Sequence, residues 1–238
     1  MSRLFNLLNV YYGSNNVWVE VEDELKKSGA NITFDDFYNP FKNLVIGVLS
    51  QNTSDRNSVK ACVGLIKQFK KITPLVLAKA PFGQIRNAIR PGGLYNLKAK
   101  RIKDLSQAIL DRYAGDLTKI TRLGKKKARE ELLSFSGIGP KTADVFIGYC
   151  MKSGEALPID TNIKRVVVRI GIVKKGARYD EIRKLLRKRL PSGKELKGHE
   201  FLIRLGRDFC KPKNPLCNDC PVKAICISVK KRLGINGN

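Results

Sequence analysis

Apolar residues recur at helical spacing along nearly the whole of this chain, and glycine or proline interrupts them at short intervals. Val59, Cys62, Val63 and Ile66 stand at i, i+3, i+4 and i+7, and Ile163, Val166, Val167 and Ile170 repeat the pattern. That spacing gathers apolar side chains into one stripe on a helix. Ile182, Leu185 and Leu186 begin another stripe, and a longer helix is expected over residues 97–113 with Ile102, Leu105 and Ile109 inward. Breakers separate these segments: Asn39-Pro40, Thr73-Pro74, Ala80-Pro81, Arg90-Pro91-Gly92-Gly93, Gly115-Asp116, Gly137-Ile138-Gly139-Pro140 and Lys175-Gly176. No segment alternates with the period of a strand. The expectation is an all-α fold of about ten or more short helices joined by tight turns. Cys62 falls on an inward stripe and, like Cys150, is expected to be a small core residue. The polar residues 230–238 are expected to fray.

The 238 residues suffice for one large or two small domains with a real core. Lys and Arg number 46 against 21 Asp and Glu, a formal charge of +25. Such a charge repels itself unless a polyanion neutralises it, so nucleic acid is the expected partner and an anionic membrane surface the second choice. Lysine-rich surfaces also serve solubility and life at high temperature. Here the basic residues spread over the whole chain, which favours nucleic acid. No apolar run reaches the length of a membrane span, and the N-terminus lacks the charged start and cleavage site of a signal peptide. An intracellular protein that keeps its thiols reduced is expected, and clustered cysteines there bind metal more often than they pair.

Four of the six cysteines, Cys210, Cys217, Cys220 and Cys226, form the pattern C-x6-C-x2-C-x5-C. Four thiolates suit structural zinc or an iron–sulfur cluster. Zinc ribbons pair two C-x2-C knuckles across a longer loop. A single knuckle with longer gaps on both sides fits a [4Fe–4S] cubane better. Lys211, Lys213 and Lys223 lie in and beside this loop. A rigid loop would present them to DNA phosphates.

A helix expected over residues 125–135 runs into Gly137-Ile138-Gly139, and a new helix starts with Pro140 in its first turn. Gly137 and Gly139 leave the backbone uncovered, and N–H groups at a helix start suit a phosphate oxygen. A helix-hairpin-helix with this form grips a DNA backbone without choosing sequence. Taken alone, two glycines in a turn more often serve close helix packing. Lys141 follows in the first turn of the new helix, where a neutral amine would be a nucleophile able to form a Schiff base. The plainer role for Lys141 is to pair with phosphate. Asp160, in Leu157-Pro158-Ile159-Asp160-Thr161-Asn162, precedes an amphipathic helix. It is either an N-cap or a working carboxylate.

Taken in order, these stretches resemble the endonuclease III family of helix-hairpin-helix DNA glycosylases. Asn39-Pro40-Phe41 and Leu49-Ser50-Gln51-Asn52-Thr53-Ser54-Asp55 resemble the early helix and minor-groove loop of that family. Gly93 to Ala99 resembles the turn before its long helix, and Gly137 to Ala143 its hairpin and catalytic lysine. Ile159-Asp160-Thr161 resembles its aspartate motif. Leu205-Gly206-Arg207-Asp208-Phe209-Cys210 leads into cysteines with its iron–sulfur spacing. The likeness spans roughly residues 33–228. It implies two all-helical lobes: a barrel over residues 31–152, and a second lobe of residues 1–30 plus 153–238 with the [4Fe–4S] loop. It also implies a DNA groove between the lobes, with Lys141 at the boundary opposite Asp160. The implied activity is excision of a damaged base, with oxidised pyrimidines the implied substrates, followed by β-elimination at the abasic sugar through a Lys141 Schiff base. Gln51 or Asn52 would fill the gap left by the flipped nucleotide. Double-stranded DNA bearing damaged bases or abasic sites is the implied partner, with a monomer sufficient and no membrane needed.

The chain departs from the family pattern at three places. Asn162 stands where histidine is common. Leu133 occupies a position that is acidic in some relatives. His199, the single histidine, lies in a helix before the cysteines and is expected in the core or groove. Two other readings compete. An adenine- or thymine-mismatch glycosylase would share much of the pattern, although the adenine-specific enzymes lack the hairpin lysine. A non-catalytic iron–sulfur lesion sensor would need neither Lys141 nor Asp160. The aromatics Tyr11, Tyr12 and Trp18 are expected to pack on the second lobe rather than stack on bases.

Overall fold

The computed structural model describes residues 3–13, 25, 27 and 34–232. Among these residues the regular structure is helical and no strand is present. The helices run in chain order as α1 Arg3–Tyr12, α2 Pro40–Leu49, α3 Asp55–Phe69, α4 Pro74–Lys79, α5 Phe82–Ala88, α6 Tyr95–Tyr113 and α7 Thr118–Thr121. They continue as α8 Lys125–Leu133, α9 Pro140–Tyr149, α10 Thr161–Ile170, α11 Tyr179–Arg187, α12 Glu195–Asp208 and α13 Ile227–Arg232. Contacts divide the chain into two compact units, one of Met1–Val17 with Ser153–Asn238 and one of Trp18–Lys152. No helix among the described residues is long and apolar enough to cross a membrane.

The Asn-Pro and Thr-Pro breakers prove to be helix starts. Asn39 accepts from the Lys42 N–H at 3.0 Å with Pro40 in the first turn of α2, and Thr73 accepts from Val76 at 3.3 Å ahead of Pro74 in α4. Each cap satisfies a donor the helix cannot, worth about 1 kcal/mol, and proline there gives up an N–H that had no partner. Helix α6 begins at Tyr95, two residues before the expected start, and α8 ends at Leu133, because Ser134 and Phe135 already belong to the turn.

In the Trp18–Lys152 unit, α6 is the central element. It packs against α4 and α5 and buries Ile102, Leu105 and Ile109 as their spacing requires. Each such side chain contributes about 1.5–3 kcal/mol on burial. The buried face of α3 centres on Ala61 and Leu65, with Val59 and Val63 beside them; Cys62 and Ile66 sit half-buried at its margin. The Cys62 and Cys150 thiols are both pushed up to about 12 by desolvation, so neither is a reactive thiolate. Helix α9 packs on both α8 and α2.

The other unit has one core. Leu4, Phe5, Leu8 and Tyr12 of α1 join Ile163, Val166, Val167 and Ile170 of α10, Ile182 and Leu186 of α11, and Phe201, Leu202 and Leu205 of α12. Cys220, Val222 and Cys226 belong to the same cluster, so the cysteine loop is anchored in the core rather than appended to it. Tyr12 stacks on Phe201 at 6.0 Å and donates its hydroxyl to Asp208. Tyr11 is exposed, edge-on to Phe209 at 5.5 Å. Trp18 and residues 233–238 lie outside the described residues.

Candidate functional site

The hairpin between α8 and α9 is built from both sides. Beneath it, Arg129 of α8 donates to the buried Asp144 of α9 at 3.0 Å. Removing one partner would strand a buried charge at a cost of about 3–5 kcal/mol, so this pair fixes the two helices against each other. Ile138 turns inward and is 5% exposed, which leaves the flanking glycines at the surface turn. Gly137 has φ +84°, and a Cβ there would meet Arg101 Cδ at 2.8 Å, so two independent constraints require glycine. Gly139 differs. Its φ of −98° and ψ of 176° suit any residue, and a Cβ there would meet nothing within 4 Å. Nothing among the described residues demands glycine at 139. What its bareness keeps open is the solvent side of the α9 N-terminus, which no side chain caps. Lys141 lies half-buried in that first turn.

The 49–52 loop is tied to this hairpin. Gln51 Nε2 donates to the Gly137 carbonyl at 2.9 Å, and Arg101 Nη1 donates to Gln51 Oε1 at 2.5 Å. Both ends of the Gln51 amide are therefore committed. Asn52 is exposed and left-handed, with φ +50°, a conformation asparagine tolerates well. One turn before Arg101 on α6, Lys98 is buried at 1% exposure and donates to the carbonyls of Leu49 and Gly92, both at 2.8 Å. Burial lowers the Lys98 pKa from its ordinary value; the Arg101 cation pushes the same way and Cys62 opposes it. Lys98 and Arg101 thus hold the start and the middle of one loop, and sequence reasoning missed both. Their type signals a solvated face, and only their helical spacing to Ile102 and Leu105 hints that they point inward.

Asp160 belongs to the other unit, so the structure assigns it and Lys141 to different bodies. It caps α10, with Oδ1 accepting from the Ile163 N–H at 2.7 Å. Its second oxygen accepts from Asn162 Nδ2 at 3.0 Å. Asn162 Oδ1 in turn accepts from Arg165 Nη2 at 2.8 Å, and Arg165 Nε donates to the Cys210 carbonyl at 2.7 Å. The segment before Asp160 is fixed by Tyr179, whose hydroxyl accepts from the Ile159 N–H at 3.2 Å, and by His199 Nδ1, 2.7 Å from the Pro158 carbonyl. A carbonyl only accepts, so Nδ1 of His199 carries the proton. His199 is 1% exposed and is a core residue.

Cys210, Cys217, Cys220 and Cys226 line one cavity of about 240 Å³, walled also by Arg169 and Ile170. Among the described residues no group of three or more His, Cys, Asp or Glu side chains forms a site that could hold a metal ion. Four thiols on one cavity are a donor set of the kind that zinc or an iron–sulfur centre uses. Burial raises the Cys220 pKa; a backbone hydrogen bond from Val222 opposes this, and the three other thiols add to the rise. Arg169 stands over the rim: Nη1 donates to the Lys211 carbonyl at 2.7 Å and lies 3.5 Å from Cys210 Sγ, and Nη2 donates to the Pro212 carbonyl at 3.0 Å. Lys211, Lys213 and Lys223 are exposed, and Lys223 Nζ also donates to the Asn218 carbonyl at 2.6 Å.

Comparison with known proteins gives a consistent picture. Residues 45–192 match the HhH-GPD superfamily of base excision DNA repair proteins. The chain is 35% identical to endonuclease III of Sulfolobus acidocaldarius over 188 residues, covering 79% of this chain and 82% of that protein. It is 34% identical to endonuclease III of Thermotoga maritima over 193 residues, covering 81% and 85%. A solved endonuclease III, trapped as a covalent intermediate with DNA, superposes with a TM-score of 0.73 at 28% identity, covering 90% of this chain and 95% of that one.

Proposed function

The chain belongs to the endonuclease III family of the HhH-GPD superfamily and is a base excision repair DNA glycosylase, and on that premise we propose that it also cleaves the strand as a lyase, with Lys141 as the nucleophile. The observation that carries this reading is the position of Lys141. It sits in the first turn of α9, directly after a helix start that no side chain caps and that Gly139 leaves bare. Phosphate oxygens bound to those N–H groups bring a deoxyribose to the amine.

A base inside a duplex must leave the stack before chemistry can reach it, and Gln51 or Asn52 fills the gap. As the base departs with the electrons of the glycosidic bond, the Asp160 carboxylate stabilises the positive charge on the sugar. The Lys141 amine forms a bond to C1′ as its proton passes to the departing base, and opening of the sugar ring gives an imine. The imine acidifies the C2′ proton. Its loss expels the 3′ phosphate by β-elimination, and water then hydrolyses the imine and frees the lysine. Oxidised pyrimidines are the proposed substrates.

The four cysteines of the cavity would hold a [4Fe–4S] cluster. When bound, such a cluster supplies four thiolate–iron bonds that staple the loop. Lys211, Lys213 and Lys223 are proposed to meet DNA phosphates from that loop.

The test is borohydride trapping on a duplex with a single abasic site. Wild-type protein should form a stable covalent adduct, and Lys141→Gln should form none while still binding the duplex. An undiminished adduct in Lys141→Gln would remove Lys141 from the role.

A further inference from the structure

One peptide group, that between Pro158 and Ile159, is held at both ends by side chains from two different helices. Its carbonyl lies 2.7 Å from His199 Nδ1 of α12, and its N–H donates to the Tyr179 hydroxyl of α11 at 3.2 Å. These partners stand 41 and 20 positions away in the chain. Residues 156–159 are buried and belong to neither helix nor strand. Their backbone polar groups therefore need partners that regular structure does not supply. A peptide group is planar and turns as one body, so holding its N–H and its carbonyl together fixes the direction in which the chain delivers Asp160. On the other side of Asp160, Oδ1 accepts from Ile163 and the backbone carbonyl from the Lys164 N–H at 2.9 Å. The helix cap is thus made entirely within α10 and does not require the clamp before it. Packing accounts for the Tyr179 ring, which lies half-buried against the core, but not for its hydroxyl.

We propose that Tyr179 and His199 are positioning residues for base excision: by clamping the Pro158–Ile159 peptide they set where the Asp160 carboxylate stands relative to the sugar that loses its base. The proposal rests on the reading of Asp160 given above, in which it meets positive charge as the base departs. A charge held out of place by a fraction of an ångström stabilises the transition state less while leaving DNA binding unaltered. An abasic sugar has already lost its base, so its reaction with Lys141 does not draw on that stabilisation. Tyr179→Phe keeps the ring and removes the acceptor. His199→Asn keeps a side-chain N–H donor, and His199→Leu removes it.

The experiment measures single-turnover base release from a duplex carrying one thymine glycol beside borohydride trapping on an abasic duplex, whose amplitude counts the active molecules. Tyr179→Phe should slow base release roughly tenfold or more, yet leave the trapping rate and the affinity for the abasic duplex within about twofold. His199→Asn should retain more release per active molecule than His199→Leu. Unchanged release in Tyr179→Phe, or an equal fall in release and trapping, would overturn the proposal, the second because lost folding slows both. Equal release by His199→Asn and His199→Leu would remove His199 from the clamp. An Asp160→Asn control separates the underlying reading: if that variant released the base at the wild-type rate, the role of Asp160 would fail and the proposal with it. Slow release in Asp160→Asn beside normal release in Tyr179→Phe would overturn the proposal alone.

Discussion

The side-chain amide of Asn162 donates to the Asp160 carboxylate at 3.0 Å, and its orientation is set from behind. Arg165 donates to Asn162 Oδ1, which leaves Nδ2 no direction but toward Asp160. The same Arg165 donates to the carbonyl of Cys210. One polar chain therefore runs from the carboxylate to the first cysteine of the loop. Asn162→Ala should leave the Asp160 cap intact and shift thermal stability little, while lowering single-turnover base release by up to about 100-fold through loss of orientation. Asn162→Asp should lower it at least as far, because a second carboxylate would face the first. Unchanged base release in both variants would show that the asparagine is packing only.

Substitution can separate the cap that Asp160 forms from the charge-stabilising role proposed for it. Asp160→Asn retains an oxygen for the Ile163 N–H, so folding stability should stay within about 0.5 kcal/mol of wild type while base release is lost. Asp160→Ala should lose both base release and about 1 kcal/mol of stability. Thermal melts beside excision assays check this; equal excision by Asp160→Asn and wild type would reduce Asp160 to a cap.

The two hairpin glycines should respond in opposite ways. Gly137→Ala forces a methyl into φ +84° and onto Arg101, at a cost of about 1–3 kcal/mol. Gly139→Ala meets open space at an ordinary φ and should fold as well as wild type. Its methyl instead covers backbone proposed to meet phosphate, so duplex affinity should fall with stability unchanged. Retained affinity in folded Gly139→Ala would show that phosphate does not approach there.

Lys98 gives a pH test with a defined sign. Its folded pKa lies below the ordinary lysine value of about 10.4, so between the two the unfolded chain holds more protons and stability rises with pH. Lys98→Met removes this and leaves the Leu49 and Gly92 carbonyls without their donor, at a cost of about 1–3 kcal/mol. The gap between wild type and variant should widen as pH rises from neutral toward that value. A gap that narrows would mean that the buried amine is held as a fully favoured cation. Denaturant melts at several pH values, taken as wild-type-minus-variant differences, cancel the titration of the other lysines.

Much of this architecture is written locally. Ile163, Val166, Val167 and Ile170 are all buried because an i, i+3, i+4, i+7 stripe leaves a helix one face to bury. The four cysteines line one cavity. The Asn39-Pro40 and Thr73-Pro74 junctions mark helix starts because side-chain cap and missing N–H are properties of adjacent residues. The Arg101–Gln51–Gly137 triangle was not legible, since its members stand 50 and 86 positions from Gln51 and no periodicity links them. Buried Lys98 was hidden by its own type, because lysine is the residue least expected in a core. For Cys62 the stripe was read one position off its centre, which lies at Ala61 and Leu65.

The central claim is that one particular amine does the chemistry, and mapping the adduct tests it most directly. Wild-type protein is trapped with borohydride on an abasic duplex and digested, and the modified peptide is sequenced by mass spectrometry. The expected result is a reduced sugar adduct on Lys141. An adduct on any other amine, or base release with no adduct formed, would contradict it.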